Sequence, residues 1–260
     1  MLLSIITINY NNASGLRKTI DSIVNQVFKN FQYIIIDGGS TDTSIEVIRE
    51  YETKIDYWIS EPDNGIYNAM NKGLVKAIGE YILVVNSGDH LLNNDVLNTV
   101  FKTPSLKDIV YGDILWNDNG NHYTQVFPDE LTFNFFRTNS LGHQATFVRK
   151  RVHDVVGLYD ENYKIVSDWK FLILAICKYD IPYCHIPLVI AECGRDGISC
   201  MPENLDKIAI DRNDILQKSF PAYVPDYRQM DNLEEHLHRL RRNFAISIQR
   251  TIKSLFTKKH

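Results

Sequence analysis

Through the first half of the chain, apolar runs of strand length alternate with segments whose apolar residues recur every three or four positions. Residues 2 to 9 predict a buried strand, and Ser14 is placed to cap a helix carrying Leu16, Ile20, Ile23, Val24 and Val27. Tyr33 to Ile36 form a second β-branched run, ended by Asp37, Gly38, Gly39 and Ser40. A helix with Ile45, Val47 and Ile48 then starts at Thr41 or Asp42. Tyr57 to Ile59 predict a short third strand, residues 66 to 78 a helix, and Tyr81 to Val85 a fourth strand. Strands that alternate with helices argue for an α/β fold with a mostly parallel, doubly wound sheet.

The second half is less regular. Ile109 to Ile114 read as a strand, and Asn117 to Gly120 as a hairpin turn into residues 122 to 127. Residues 144 to 149 predict a further strand and 166 to 179 a helix opening on Ser167, Asp168 and Trp169. An irregular Cys- and Gly-containing stretch follows, then a helix from about Glu203 to Lys218. Pro221 and Pro225 interrupt any helix across them and mark a linker, which divides the chain into residues 1–220 and a tail, 221–260. From Asp231 the tail reads as one long amphipathic helix, with Leu233, Leu237, Leu240, Phe244, Ile248, Ile252 and Leu255 along one stripe. Arg239, Arg241, Arg242, Arg250, Lys253, Lys258 and Lys259 stand there against Glu234 and Glu235. Such a C-terminal helical extension can lie on an anionic membrane surface, pack on its own domain or pair with a second copy.

Composition narrows the class without naming an activity. The 260 residues suffice for a large core, and 44% hydrophobic with 23% charged residues is ordinary for a globular protein. A net charge of -4 gives no footprint for a nucleic-acid partner. The apolar amino terminus has no basic region before it and no cleavage site after it, and no apolar run approaches the roughly 18 residues of a spanning helix. A cytoplasmic protein, with contact at the inner face of the cell membrane as an option, is expected. Cys177, Cys184, Cys193 and Cys200 form no Cys-x-x-Cys pair, so reduced structural thiols are expected rather than zinc.

Three carboxylates stand where chemistry would need them. Asp89 follows the fourth strand through Asn86, Ser87 and Gly88, at the carboxyl end where open α/β sheets bind ligands. One such carboxylate can hold Mg²⁺ or Mn²⁺ if a diphosphate supplies further oxygens; the plainer reading is a turn or helix cap. Asp37 ends the second strand before a Gly-Gly-Ser loop whose N–H groups can meet a base, ribose or phosphate. No Gly-x-Gly-x-x-Gly follows the first strand, which disfavours a nicotinamide enzyme. Tyr10, in that first loop, could stack on a base or simply pack. Asp168 opens a helix whose dipole keeps it ionised, fit to take a proton from a hydroxyl or merely to complement the dipole. His143 and Gln144 are polar candidates for contact with an acceptor or a diphosphate, with local hydrogen bonding as the alternative.

Taken in order, Ser4 to Asn11, Ile36 to Asp42, Asp63 to Gly65 with Asn71 to Gly73, Asn86 to Asp89, His143 with Gln144, and Ser167 with Asp168 resemble the motifs of the family-2 glycosyltransferases. The resemblance covers about residues 1 to 200. It implies the nucleotide-diphospho-sugar transferase (GT-A-type) fold, with a nucleotide-sugar half to about residue 115 and an acceptor half from 116 to 220. It also implies metal-dependent, inverting transfer of one hexosyl or N-acetylhexosaminyl unit from a nucleotide-diphospho-sugar, a UDP-sugar first among them. The acceptor would be a hydroxyl of a polysaccharide or lipid-linked oligosaccharide. On this resemblance Ile8, Tyr10, Asp37 and Ser40 would surround the nucleoside, and Asn64, Gly65 and Asn71 would line the same pocket. Ser87 and Gly88 would lie at the donor, Asp89 would bind Mn²⁺ or Mg²⁺, and Asp168 would be the base. Trp169, beside that base, would join His143 and Gln144 near the acceptor. Cys193 to Ser199 resemble the family's Gly-rich segment near the diphosphate, with Arg195 as a phosphate contact.

The chain departs from the family pattern at three places. Gly38 stands where relatives have a second aspartate that helps read the base, Asn86 and Gly88 replace acids of the metal motif, and Ser167 replaces a frequent glutamate. The Gln-x-x-Arg-Trp motif of processive synthases is absent, so single-sugar addition is expected. Two other functions compete. A sugar nucleotidyltransferase would need a glycine- and basic-rich first loop, where this chain has Gly15, with Arg17 and Lys18 inside the helix. A degenerate nucleotide-sugar-binding scaffold would suit the thinned acidic motif, but Asp37, Asp89 and Asp168 together argue against it.

Overall fold

Every side chain of the first strand, β1 (Leu3–Asn9), is buried, because it lies at the middle of a sheet covered on both faces. The computed structural model describes residues 1–257 apart from Asp196; the side chains of Glu234, Asn243 and residues 245–257 lie outside that description. After β1 come α1 (Ala13–Val24), β2 (Phe31–Asp37), α2 (Ser44–Glu50), β3 (Tyr57–Ser60), α3 (Ile66–Lys76), β4 (Tyr81–Val84), β5 (His90–Leu91) and α4 (Val96–Lys102). The second half supplies β6 (Ile109–Asp118), β7 (Asn121–Gln125), α5 (Phe133–Thr138), β8 (Thr146–Arg149), α6 (Lys150–Val156), α7 (Ser167–Cys177) and β9 (Tyr183–Gly194). The helices α8 (Leu205–Ser219) and α9 (Val224–Thr257) follow.

The strands order as β3-β2-β1-β4-β8-β6-β9-β5, with β7 paired to β6. Those from β3 to β4 run parallel, as their alternation with helices predicts. β8 is inserted antiparallel between β4 and β6, which makes the whole sheet mixed. The chain steps outward from β1 to β3 and then returns through α3 to β4 on the other side of β1. That reversal opens a crevice at the carboxyl ends of β1 and β4. α1 packs on α2 and α3 on β1 and β2; the right-handed crossover puts α3 on the opposite face from the other two.

Several local expectations change. The first helix is capped by Asn12, whose Oδ1 accepts from the Gly15 amide at 3.1 Å, not by Ser14. It ends at Val24, so Val27 is exposed and Gln26 is buried in its place, with its amide on the Asn93 carbonyl at 2.6 Å. The stretch after residue 179 that reads as irregular is mostly the long strand β9. Its pattern is broken by Pro187, which falls where the β6–β9 register shifts between the Tyr111–His185 and Asp113–Val189 pairs. A proline without an N–H is tolerated in a strand at such an irregularity. The hairpin at Asn119 and Gly120 forms with φ of 52° and 90°, the twist that two-residue turns require.

The chain divides into two compact units, Met1–Ala209 and the residues from Ile210 on. In the second, α9 begins at Val224 rather than Asp231, since Pro225 sits in the first turn, where its missing N–H costs nothing. Leu233, Leu237, Leu240 and Phe244 are exposed along it. The side chains of Ile248, Ile252, Leu255, Arg250, Lys253 and Glu234, together with Lys258 and Lys259, lie outside the described residues. Among the described residues no helix is long and apolar enough to cross a membrane, and all four cysteines are free thiols.

Candidate active site

Sheet register builds the floor of the crevice. Asn9, Asp37 and Ser60 end three adjacent parallel strands in direct register. The Asp37 carboxylate, fully buried, accepts from Asn9 Nδ2 at 2.7 Å, Ser60 Oγ at 2.6 Å, Ser40 Oγ at 2.6 Å, and the amides of Gly39 at 3.2 Å and Ser40 at 2.9 Å. Burial pushes its pKa up, but the bonds from Ser40, Ser60 and Asn9 outweigh burial and hold it below the ordinary carboxylate range. A carboxyl with a lowered folded-state pKa contributes stability that is present above its unfolded value, about 3.9, and is lost as pH falls through the lowered one. Asp37→Asn would turn an NH₂ toward a ring of donors. It is expected to cost about 3 kcal/mol at neutral pH, with a smaller difference at low pH, read from urea denaturation of both proteins.

The facing wall is the turn after β4. Thr19, buried in α1, donates from Oγ1 to the Asp89 carbonyl at 2.6 Å and accepts from the Gly88 amide at 3.0 Å. Asn12 Nδ2 donates to the Ser87 carbonyl at 3.0 Å. Gly88 has φ of +105°, a conformation that L side chains rarely adopt, and a Cβ there would also meet Asn12 Nδ2 at 3.3 Å. The N-terminus of α1 thus holds the loop that presents Asp89.

A single turn of 3₁₀ helix, His143–Ala145, ties the two remaining acids together. His143 Nδ1 lies 3.3 Å from Asp168 Oδ2, and its neighbour Gln144 donates from Nε2 to Asp89 Oδ2 at 2.7 Å. The Tyr67 hydroxyl lies 2.7 Å from both Asp168 Oδ1 and the Ile165 carbonyl, which share its one proton. Gly194 donates its amide to Asp89 Oδ1 at 3.3 Å. The environments push the two carboxyls apart. Burial raises Asp89 above its ordinary value, against the weaker pull of Gln144 and the His143 charge. Burial would raise Asp168 as well, but His143 and Tyr67 outweigh it and hold Asp168 low.

A cleft of about 1120 Å³ joins these parts. Of the residues expected at the site, Ile8, Tyr10, Gly65, Ser87, Gly88, Asp89, His143, Gln144, Asp168 and Arg195 line it. Arg195 is exposed there and donates to the Tyr123 hydroxyl at 2.8 Å; Asp196 beside it lies outside the described residues. The others do not line it. Asp37 and Ser40 are bonded to each other, and the exposed Asn64 offers its carbonyl to Lys164 Nζ at 2.9 Å. Asn71 clamps the Tyr159 backbone, donating to its carbonyl at 2.8 Å and accepting its amide at 3.0 Å. Trp169, 1% exposed, corrects its acceptor assignment, since its indole N–H is spent on the Phe136 carbonyl at 2.7 Å in the core. Its position at the helix start put the wrong neighbour of Asp168 in view.

Sequence reasoning missed Asn12, Thr19, Tyr67 and Glu192, and gave Asp63 a place in a motif but no role. Tyr67 is the second residue of α3, on its buried side, a position that reads as core. Glu192 sits on the overlooked strand β9, accepting from Asn117 Nδ2 at 2.9 Å, with His90 at 3.5 Å and Lys18 at 3.8 Å.

The donor set suits a divalent cation in one way. Among the described residues no group of three His, Cys, Asp or Glu side chains could cage an ion. Asp89 offers a single hard carboxylate at the cleft wall, its pKa raised by burial. Mg²⁺ or Mn²⁺ would have to complete its oxygen shell from a diphosphate and water, as Mg²⁺ commonly does.

A mixed α/β sheet with a crevice at its topological switch point is the GT-A type of fold. The chain belongs to glycosyl transferase family 2, whose profile matches residues 4–154. It is 28% identical over 205 residues to a PGL/p-HBAD biosynthesis glycosyltransferase of Mycobacterium bovis, covering 75% of this chain and 78% of that one. It is 30% identical over 185 residues to an uncharacterized glycosyltransferase of Mycobacterium tuberculosis, covering 68% and 70%. The fold resembles S. aureus TarS 1-349 in complex with UDP-GlcNAc, with a TM-score of 0.64 and 19% identity over 84% of this chain and 71% of that one. It also resembles the mannosyltransferase PcManGT from Pyrobaculum calidifontis in complex with GDP-Man and Mn²⁺, with a TM-score of 0.56 and 15% identity over 74% and 56%.

Proposed function

We propose that this protein transfers one sugar from a nucleotide-diphospho-sugar, of the UDP class, to a hydroxyl of a glycan or lipid-linked saccharide, with inversion at the anomeric carbon. The observation that carries the reading is the His143–Gln144 turn, which binds Asp168 with one residue and Asp89 with the next. Two carboxylates of different basicity face one cleft, which suits the division of labour that group transfer needs. Asp168, held ionised, takes the proton of the acceptor hydroxyl as its oxygen bonds to the anomeric carbon. The bond from that carbon to the diphosphate breaks, and its electron pair leaves with the phosphate oxygen. With one base and no enzyme nucleophile in the sequence of bonds, the configuration inverts. Asp89 is the residue that would hold Mn²⁺ or Mg²⁺, which when bound supplies Lewis-acid stabilisation of the departing diphosphate. Arg195 and Lys18 add positive charge at the cleft.

A thermal-shift panel with UDP-, dTDP-, GDP- and CMP-sugars, with and without Mn²⁺, tests the donor. Saturation at 100 times the dissociation constant should stabilise the fold by about 2.7 kcal/mol. Metal-dependent stabilisation by one nucleotide class supports the reading, and indifference to every donor overturns it. Exposed Leu233, Leu237, Leu240 and Phe244 beside Arg239, Arg241 and Arg242 support contact with an anionic membrane face, where a lipid-linked acceptor would be met. Co-sedimentation with phosphatidylglycerol vesicles but not with neutral ones is the expected result; a dimer in solution that ignores vesicles would assign the stripe to self-association.

A further inference from the structure

The bare α-carbon of Gly38 is flanked by two side chains from other loops. A Cβ at that position would lie 2.9 Å from Asp63 Oδ2 and 3.3 Å from Tyr10 Cδ2, so the Asp63 carboxylate already occupies the space that a side chain at residue 38 would take. Gly38, Tyr10 and Asp63 all line the cleft. The Tyr10 ring is 67% exposed, whereas the Asp63 side chain is only 11% exposed. Asp63 Oδ1 is bonded to Lys72 Nζ at 2.6 Å. The same ammonium reaches the Pro62 carbonyl at 3.1 Å and Glu61 Oε1 at 2.8 Å, so its three protons are committed. Asp63 Oδ2 accepts no hydrogen bond among the described residues.

These three residues make a slot with an open aromatic face, a floor without a side chain, and one unused, largely buried acceptor at its edge. That oxygen faces the cleft with an acceptor position to spare, so a ligand that brings one N–H to Oδ2 is favoured over one that does not. Uracil and thymine present a single N3–H between two carbonyls. Cytosine presents a lone pair at that position, which Oδ2 repels. Guanine presents two adjacent donors that call for both carboxylate oxygens, one of which Lys72 holds.

Resting on the nucleotide-sugar reading above, we infer that Asp63, admitted by the missing side chain of Gly38, reads the base of the donor and selects uridine or thymidine diphosphates through their N3–H. Calorimetric titration with UDP, CDP and GDP in Mg²⁺ tests it. The unaltered protein should bind UDP about tenfold or more tighter than CDP. Asp63→Asn keeps the shape but can turn an amide N–H toward cytosine N3, so the UDP preference should collapse or reverse. Gly38→Ala, whose Cβ displaces the carboxylate, should weaken UDP binding. The double variant Gly38→Asp with Asp63→Ala, which supplies the acid from the neighbouring loop, should recover UDP preference over Asp63→Ala alone. An unchanged UDP-to-CDP ratio in a folded Asp63→Asn protein overturns this inference and leaves the transferase reading standing. Failure of the unaltered protein to bind any of the three nucleotides overturns that reading, and this inference with it.

Discussion

Asp168→Asn is expected to lower kcat by roughly 10²- to 10⁴-fold, the usual contribution of a positioned base, with donor affinity kept. The asparagine fits the same space, and its carbonyl can still accept from Tyr67, which lies 2.7 Å from Asp168 Oδ1 in the native site. What it lacks is a group that can take a proton. A fall in kcat with an unchanged dissociation constant for UDP assigns the base, whereas retained turnover removes Asp168 from that role. The acid limb of the pH–rate profile adds a second check. Burial pushes Asp168 up, and His143 is the foremost group pulling it back down. With His143 replaced by alanine, burial dominates, the base becomes protonated at higher pH, and the acid limb should move toward neutrality.

On the proposed reading, Asp89→Asn is expected to reduce kcat/KM by about 10³-fold, because it removes the carboxylate proposed to anchor a cation at the diphosphate; that loss corresponds to about 4 kcal/mol of transition-state stabilisation. The same substitution should raise the melting temperature of the ligand-free protein. A carboxyl whose folded-state pKa is raised is favoured in its protonated form, so its stabilising contribution is present below the unfolded value and is lost as pH rises through the raised one. Asp89 is raised by burial and is therefore a liability to the empty site at neutral pH. Differential scanning calorimetry at pH 7 against an activity assay reads both effects. A variant that loses neither activity nor metal response would detach Asp89 from the donor. Opposite signs for stability and activity are the mark of a residue kept for function.

Much of the first half of the chain was legible because its signals are local. The apolar runs of β1, β2 and β4 end in polar residues at the point where the sheet ends, so Asp37 and Asp89 could be set at strand termini without a structure. The Asn119–Gly120 hairpin followed from turn chemistry alone. The opening of α7 at Ser167 followed from its apolar pattern. β9 was hidden because Pro187 breaks its period, and the extra residues that its register shifts absorb against β6 show only in the pairing of the two strands. The cap at Asn12 was hidden because Ser14 is an equally good cap by type, and only the Ser87 carbonyl across the crevice favours Asn12.

The sequence by itself determined the alternation of strands and helices, the carboxylates at their ends and the order of motifs that marks the family. Each depends on backbone preference and side-chain period within a short window. Only the tertiary structure decided which polar residues face the cleft and which brace it. Asn71 and Trp169 turned inward, because Tyr159 and Phe136, far along the chain, offered buried backbone groups that had to be paired. His143 and Gln144 came to separate partners, Asp168 and Asp89, because β8, the strand that follows them, is pinned between β4 and β6. Asp63 came to stand over Gly38 because β2 and β3 end in register and their loops meet. Long-range pairing of this kind is set by strand register and by the satisfaction of buried polar groups, neither of which any short window of residues contains.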